Sequence, residues 1–281
     1  MTGTTRRTAA RTVLPALLTL VRASLLWLGW NVLTSAFLLM PPALAFAHLL
    51  VVTALFWTAY AGRWSTPRGR AKLRLRRLSP AARLRVAQLA PLMAVLALSM
   101  YVLVVSAGFV TEPPPPKALE DFLKRPGGGA VLLVMVVGTA PLMEEFAFRG
   151  WIQRPLERRI GPAAAIPLTA ILFALAHFQP EGIAIRLAGG IALGAAVWAA
   201  RSIWAGIILH LGWNAGVLLF GGALQGFDPR GGGAAVAIPA ALVFTATAAA
   251  LAAGVRRLRE ETRAERRGGA FPEPGKPAAP R

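Results

Sequence analysis

The run "AVLLVMVVGTAPLMEEFAFRGWI", Ala130–Ile152, is long and apolar enough to cross a bilayer, yet it carries Glu144, Glu145 and Arg149. A spanning helix needs about 20 mainly apolar residues. Further runs of this kind surround it, at roughly Ser24–Ala43, Leu44–Ala61, Val86–Val110, Pro162–Phe178, Ile183–Ala200, Ser202–Gly222 and Ala234–Gly254. Their lengths and period predict an all-α polytopic membrane bundle of about eight spans. Composition agrees. Of the 281 residues 56% are hydrophobic and 15% charged, with a mean hydropathy of +0.55, where soluble domains carry about 25% charged residues. Pro41 and Pro42 mark the turn between the first two runs, because proline interrupts a helix. The N-terminal arginines, the first apolar run and "ALA" at Ala43–Ala45 also resemble a signal peptide. That run exceeds a signal h-region, so a retained helix is expected.

The net charge of +19 is carried between the apolar runs. Residues 63–85 hold Arg63, Arg68, Arg70, Lys72, Arg74, Arg76, Arg77, Arg83 and Arg85 and no acid. Basic loops mark the cytoplasmic side. With eight spans this loop, Arg6, Arg7 and Arg11, the turns at Arg154–Arg159 and Arg201, and "VRRLREETRAERR" all fall there. The expectation is an integral protein of a bacterial cytoplasmic membrane with both termini inside. It divides into a basic N-terminus (1–23), N-terminal spans (24–110) with the basic loop 62–85, a core at 130–222, a last span at 234–254 and a tail at 255–281. That tail is too rich in Pro, Gly and charge to bury a core, so disorder is expected beyond a short helical extension. Nucleic acid is not the expected partner. The basic loop is topogenic, with anionic lipid headgroups as its alternative partner. There is no cysteine, which excludes disulfides and thiol chemistry.

Of twelve acidic residues, only Glu144 and Glu145 sit inside an apolar run. A carboxylate at bilayer depth costs on the order of 2.5–3.5 kcal/mol on insertion scales, so such residues face the bundle interior and mark function. Glu145 and Arg149 are i and i+4 and can pair. Glu144 is rotated by about 100° and points elsewhere. His177 follows Phe173 by four, and Asn214 follows His210 by four. One reading makes these residues hydrogen-bonding glue between helices, beside small residues such as Gly189, Gly190 and Gly194 that allow close packing. The other makes them a site: a Glu–His pair activates water, and a second His with an Asn amide donates to an oxyanion. Glu144, His177 and His210 are also plausible ligands for a divalent metal such as zinc, although no H-E-x-x-H is present. A non-catalytic membrane scaffold or immunity-type protein and a proton-coupled transporter are the alternatives.

"EEFAFR" (Glu144–Arg149), "FALAH" (Phe173–His177) and "HLGWN" (His210–Asn214) resemble three ordered motifs, EExxxR, FxxxH and HxxxN. They belong to the CPBP superfamily, the CAAX-protease and bacteriocin-processing intramembrane peptidases related to the Rce1-type prenyl-protein endopeptidase. The resemblance covers about Leu132–Phe220. It implies an intramembrane protease acting on a membrane-associated peptide or protein. Glu144 and His177 would activate water, and His210 with Asn214 would form the oxyanion hole. Glu145, Arg149 and Phe173 would support them. Members are often described as metalloproteases, although a glutamate-water mechanism needs no metal.

Counting about 1.5 Å per residue puts Glu144 roughly 21 Å below the outer end of its span and His210 roughly 12 Å in from the cytoplasmic end of its own. The same counting leaves His177 near the outer end, so the "HFQPEG" turn is expected to be sunk within the protein. Arg186 is expected to snorkel or pair, the alternative being a hold on a substrate carboxyl terminus. Trp27, Trp30, Trp57, Trp64, Trp198 and Trp204 are expected at the membrane interface, and His48 in packing.

Overall fold

The computed structural model describes residues 18, 21, 24–25, 27–33, 35–61, 67–109, 117–223 and 229–267. Among them every regular element is helical, as the apolar patterning requires. Helix α1 is Pro42–Ala61, α2 Pro80–Ser106, α3 Gly128–Leu175, α4 Ile183–Ala200, α5 Ile203–Ala223 and α6 Ala234–Arg267. Helices α2 to α6 are each long and apolar enough to cross a membrane. Ahead of α1, shorter apolar turns run between Trp27 and Leu39. Expectations for residues 1–17 and beyond Arg267 lie outside the described residues.

The fourth and fifth expected spans are two helices that meet at a kink at Gly161 within α3. Its backbone there (φ 75, ψ 162) is left-handed and extended, and Pro162 follows. Only glycine takes that conformation without strain, and the residue before a proline is biased out of the helical region. Two stretches of α3, Val134–Thr139 and Phe146–Gln153, are wound as π-helix. The first ends just before Pro141, which has no N–H to donate. Ala140 N–H turns to Met135 O, five residues back, and Val136 O has no Pro141 N–H to accept from.

Helix α4 lies centrally, against α2, α3, α5 and α6. One buried cluster joins α2, α4, α5 and α6 through Met93, Leu193, Leu209 and Leu258. A second, aromatic cluster packs Phe146, Phe148 and Phe173 of α3 with Trp27, Trp30, Ile203 and Ile207. Many large apolar side chains face outward, among them Leu219, Ile238 and Leu242, as a lipid-facing surface requires. Ser79 caps α2 by accepting from Ala82 N–H at 3.1 Å, and Pro80 opens the helix.

Helix α6 continues to Arg267, well beyond the expected span end at Gly254. Leu258 and Thr262 are buried on the bundle. Glu261 pairs with Arg85 at 2.8 Å, and Glu265 with Arg76 at 3.2 Å and with Ser79. These contacts order the helical extension expected beyond the last span and carry it to Arg267.

Candidate active site

Glu144, His177, His210 and Asn214, expected as one site from three separate motifs, line a single cavity of about 100 Å³. Glu144 comes from the middle of α3, His177 from the turn after its end, and His210 and Asn214 from α5. Glu144 Oε1 is 3.9 Å from His177 Nε2, and its Oε2 is 3.7 Å from His210 Nε2. Both exceed a direct hydrogen bond, and one water can span them. Phe173, Trp213, Leu193 and Arg186 supply the walls.

Each ring and amide is aimed by a defined partner. His177 Nδ1 lies 2.7 Å from the Phe173 carbonyl. A carbonyl only accepts, so Nδ1 carries the proton and, in the neutral ring, Nε2 presents a lone pair toward Glu144. The Phe173 carbonyl is free to accept because α3 ends at Leu175 and its last carbonyls have no helical donors. Asn214 Nδ2 donates to Val136 O at 2.7 Å, the carbonyl that Pro141 and the π-helical turn leave open. The amide keeps a second N–H.

Glu145 and Arg149 are fully buried and pair at 3.3 Å. Glu145 Oε1 also accepts from His210 Nδ1 at 3.0 Å, so His210 stands between both glutamates. The i, i+4 rule finds the Arg149 partner; the His210 contact needs the tertiary structure. Arg149 Nη2 donates to Gly190 O at 3.2 Å, and its guanidinium lies 4.7 Å over the Phe173 ring. Phe173 meets His177 and His210 edge-on at 4.8 and 5.8 Å. It is the wall that holds both imidazoles.

Sequence reasoning missed two positions beside the site. Gln153 is fully buried one step further along α3 and donates to Gly194 O at 2.9 Å and to Glu157 at 2.7 Å. Glu157 in turn binds Arg74 of the basic loop. The four-residue rhythm Glu145, Arg149, Gln153, Glu157 is the signal that was available. The second is Trp27, packed 5.8 Å from the His177 ring and 5.6 Å from Phe148. Trp27 and Trp30, expected at the membrane interface, are buried in the core, since Phe148 and Thr53 respectively take their indoles. Trp64 and the Trp57 side chain lie outside the described residues. His48 reaches the Leu33 carbonyl at 2.8 Å, away from the cavity. Arg186 donates to the Gln179 carbonyl at 3.1 Å and to its side chain while facing the cavity.

Among the described residues no group of three or more His, Cys, Asp or Glu is placed to hold a metal ion. Glu144, His177 and His210 share the cavity, but as placed they do not form a ligand set.

The family model for the type II CAAX prenyl endopeptidase Rce1-like family matches residues 126–216. That segment holds Glu144, His177, His210 and Asn214 of the cavity, together with Glu145, Arg149 and Phe173. No curated protein and no solved structure matches the chain. Within the apolar helical bundle, residues 126–216 are thus similar to that CAAX-type peptidase family.

Proposed function

We propose, with the Rce1-like segment at residues 126–216 as premise, that this protein is an intramembrane endopeptidase. It hydrolyses a peptide bond of a membrane-associated peptide or protein with water activated by Glu144 and His177. The observation that carries this reading is the seat of Glu144 between two imidazole nitrogens at 3.9 and 3.7 Å, in a cavity. Glu144 takes a proton from the water as its oxygen attacks the carbonyl carbon, with His177 Nε2 holding the water by accepting its other hydrogen. The carbonyl oxygen becomes an oxyanion that accepts hydrogen bonds from His210 and the second N–H of Asn214. Loss of one such donor typically costs about 2.7–4 kcal/mol of transition-state stabilisation. The proton on Glu144 then passes to the leaving amine as the C–N bond breaks.

Glu145 sets a condition on His210. Because Nδ1–H points at Glu145, Nε2 donates to the oxyanion only when the ring holds both protons. Eight spans with both termini cytoplasmic complete the proposed topology.

The test is comparative membrane proteomics of wild type against Glu144→Gln, together with cleavage assays on the purified proteins. The proposal expects an uncleaved protein to accumulate in the variant and to be cut by wild type alone. A scaffold would be indifferent to Glu144→Gln. A transporter would lose flux with no change in any peptide. If no peptide changes and the wild type cuts nothing that the variant leaves intact, the enzyme reading falls.

A further inference from the structure

A second cavity, of about 150 Å³, lies where the end of α4 meets the extension of α6. None of its lining residues is shared with the first cavity, and its lining is cationic: Arg201 from α4's end, and Arg259, Arg263 and Arg266 from α6, with no acidic side chain. At about 100° per residue, positions 259, 262, 263 and 266 share one face of α6. Glu261 and Glu265 sit on the opposite face, where they reach Arg85 and Arg76. Glu261 and Glu265 are thus turned away from the cavity and hold the helix in place, leaving the arginine face to it. Burial and the like charges of Arg266 and Arg74 push the Arg201 guanidinium below its ordinary range.

Two further features point to a ligand. Thr262 also lines the cavity, is 2% exposed, and its Oγ1 makes no hydrogen bond. A buried hydroxyl without a partner is costly unless something fills the role. Arg259 stacks 3.6 Å over the Trp198 ring. Trp198 lies in the last turn of a span, the level at which tryptophans meet lipid headgroups. We propose that this cavity binds a phosphoryl group, with the arginines as charge partners and Thr262 as hydroxyl donor. Arginine forks match phosphoryl oxygens in pairs. The group is carried by an anionic phospholipid headgroup or by a soluble phosphate compound, and both present the same oxygens to the site.

Full-length protein purified in detergent is titrated with phosphatidylglycerol and with phosphatidylcholine of the same acyl chains, and bound lipid is read by native mass spectrometry. Thermal shift with inorganic phosphate and with glycerol phosphate forms the soluble arm. The expected result is a preference for phosphatidylglycerol that Arg259→Gln/Arg263→Gln abolishes. Thr262→Val, which keeps the shape, weakens it about five-fold. Stabilisation by the soluble phosphates in place of a lipid preference, lost in the same variants, supports the site with a soluble ligand. Arg77→Gln/Arg83→Gln removes two exposed charges elsewhere on the same side and leaves binding unchanged. The proposal is overturned if neither lipid nor phosphate discriminates wild type from Thr262→Val and Arg259→Gln/Arg263→Gln. It is equally overturned if the Arg77/Arg83 control loses as much. Neither readout uses proteolysis, so failure here leaves the peptidase reading standing, and the reverse also holds.

Discussion

Removing Glu145 should damage this protein far more than removing Glu145 and Arg149 together. Both side chains are fully buried, with Arg149 Nη1 3.3 Å from Glu145 Oε1. At an effective dielectric constant of about 20, that separation corresponds to about 5 kcal/mol of attraction. Glu145→Gln leaves a buried guanidinium facing a neutral amide, and breaking such a pair typically costs about 3–5 kcal/mol. Arg149→Met leaves a buried carboxylate at a similar cost. In Glu145→Gln/Arg149→Met no unpaired charge remains, and replacing both partners of a buried pair is often close to neutral. The Glu145 contact to His210 does not blur the comparison, because it is altered in the single and the double variant alike and cancels in the cycle. The contacts of Arg149 to Gly190 O and the Phe173 ring are lost in Arg149→Met and in the double variant alike and cancel too, so the expected coupling is about 6 kcal/mol or more. Equilibrium unfolding of the four proteins in one mixed-micelle system measures it. If the two single losses sum to the double within about 0.5 kcal/mol, the ion pair is not coupled. The account of Glu145 as a charge held by Arg149 would then be refuted.

Gly206 on α5 faces Glu145 directly, and a Cβ there collides with Glu145 Oε2 and sits 2.6 Å from Val197 Cγ2. Gly206→Ala should therefore lower cleavage at least ten-fold, with a shift in the His210 ring resonances by NMR, whereas an unshifted ring and full activity would show the approach to be slack. Arg186→Gln should raise KM for a cleavable peptide with kcat nearly unchanged if the guanidinium at the cavity edge holds substrate charge, and an equal fall in kcat would place it in the chemistry instead. Cleavage should persist after prolonged dialysis against a chelator, since the carboxylate and imidazoles are not placed as a ligand set. Loss of activity restored by zinc would make Glu144, His177 and His210 ligands.

The fold class and the shared helix faces were legible because both follow from short-range rules, while the meeting of the three motifs was expected from their polarity inside apolar runs and from the family resemblance. Apolar length gives spans, and four-residue spacing gives shared helix faces. The Glu145–Arg149 pair is a consequence of that spacing alone. What spacing could not show was anything set by a third element. His210 turns its Nδ1 to Glu145 because α5 approaches α3 at Gly206. Trp27 is buried because Phe148 and the His177 ring offer it an aromatic wall, and a tryptophan near a span end otherwise looks interfacial. Gln153 and Glu157 fell outside the apolar run and read as loop. Yet they extend the row begun by Glu145 and Arg149 and reach Arg74. Similarly, the reach of the α6 extension shows only once Glu261 and Glu265 find Arg85 and Arg76.

Two of the four cavity residues are oriented by backbone that a regular helix would not offer. In an unbroken α-helix the carbonyls of Val136 and Phe173 would each be taken by an N–H four residues on. Pro141 and the wide π turn before it leave the first open, and Asn214 donates to it. The end of α3 at Leu175 frees the second, and the His177 ring donates to it. An apolar interior has few polar anchors, and a side chain there must find its partner within the protein. Irregular backbone supplies one at no cost in extra buried charge. Pro141, three residues before Glu144, is therefore part of how the cavity is built, and it acts on Asn214 from another helix. Pro141→Ala restores an N–H and a regular turn. The expected consequence is competition for Val136 O, a loosened Asn214 and a drop in turnover, with Glu144 and both histidines left in place.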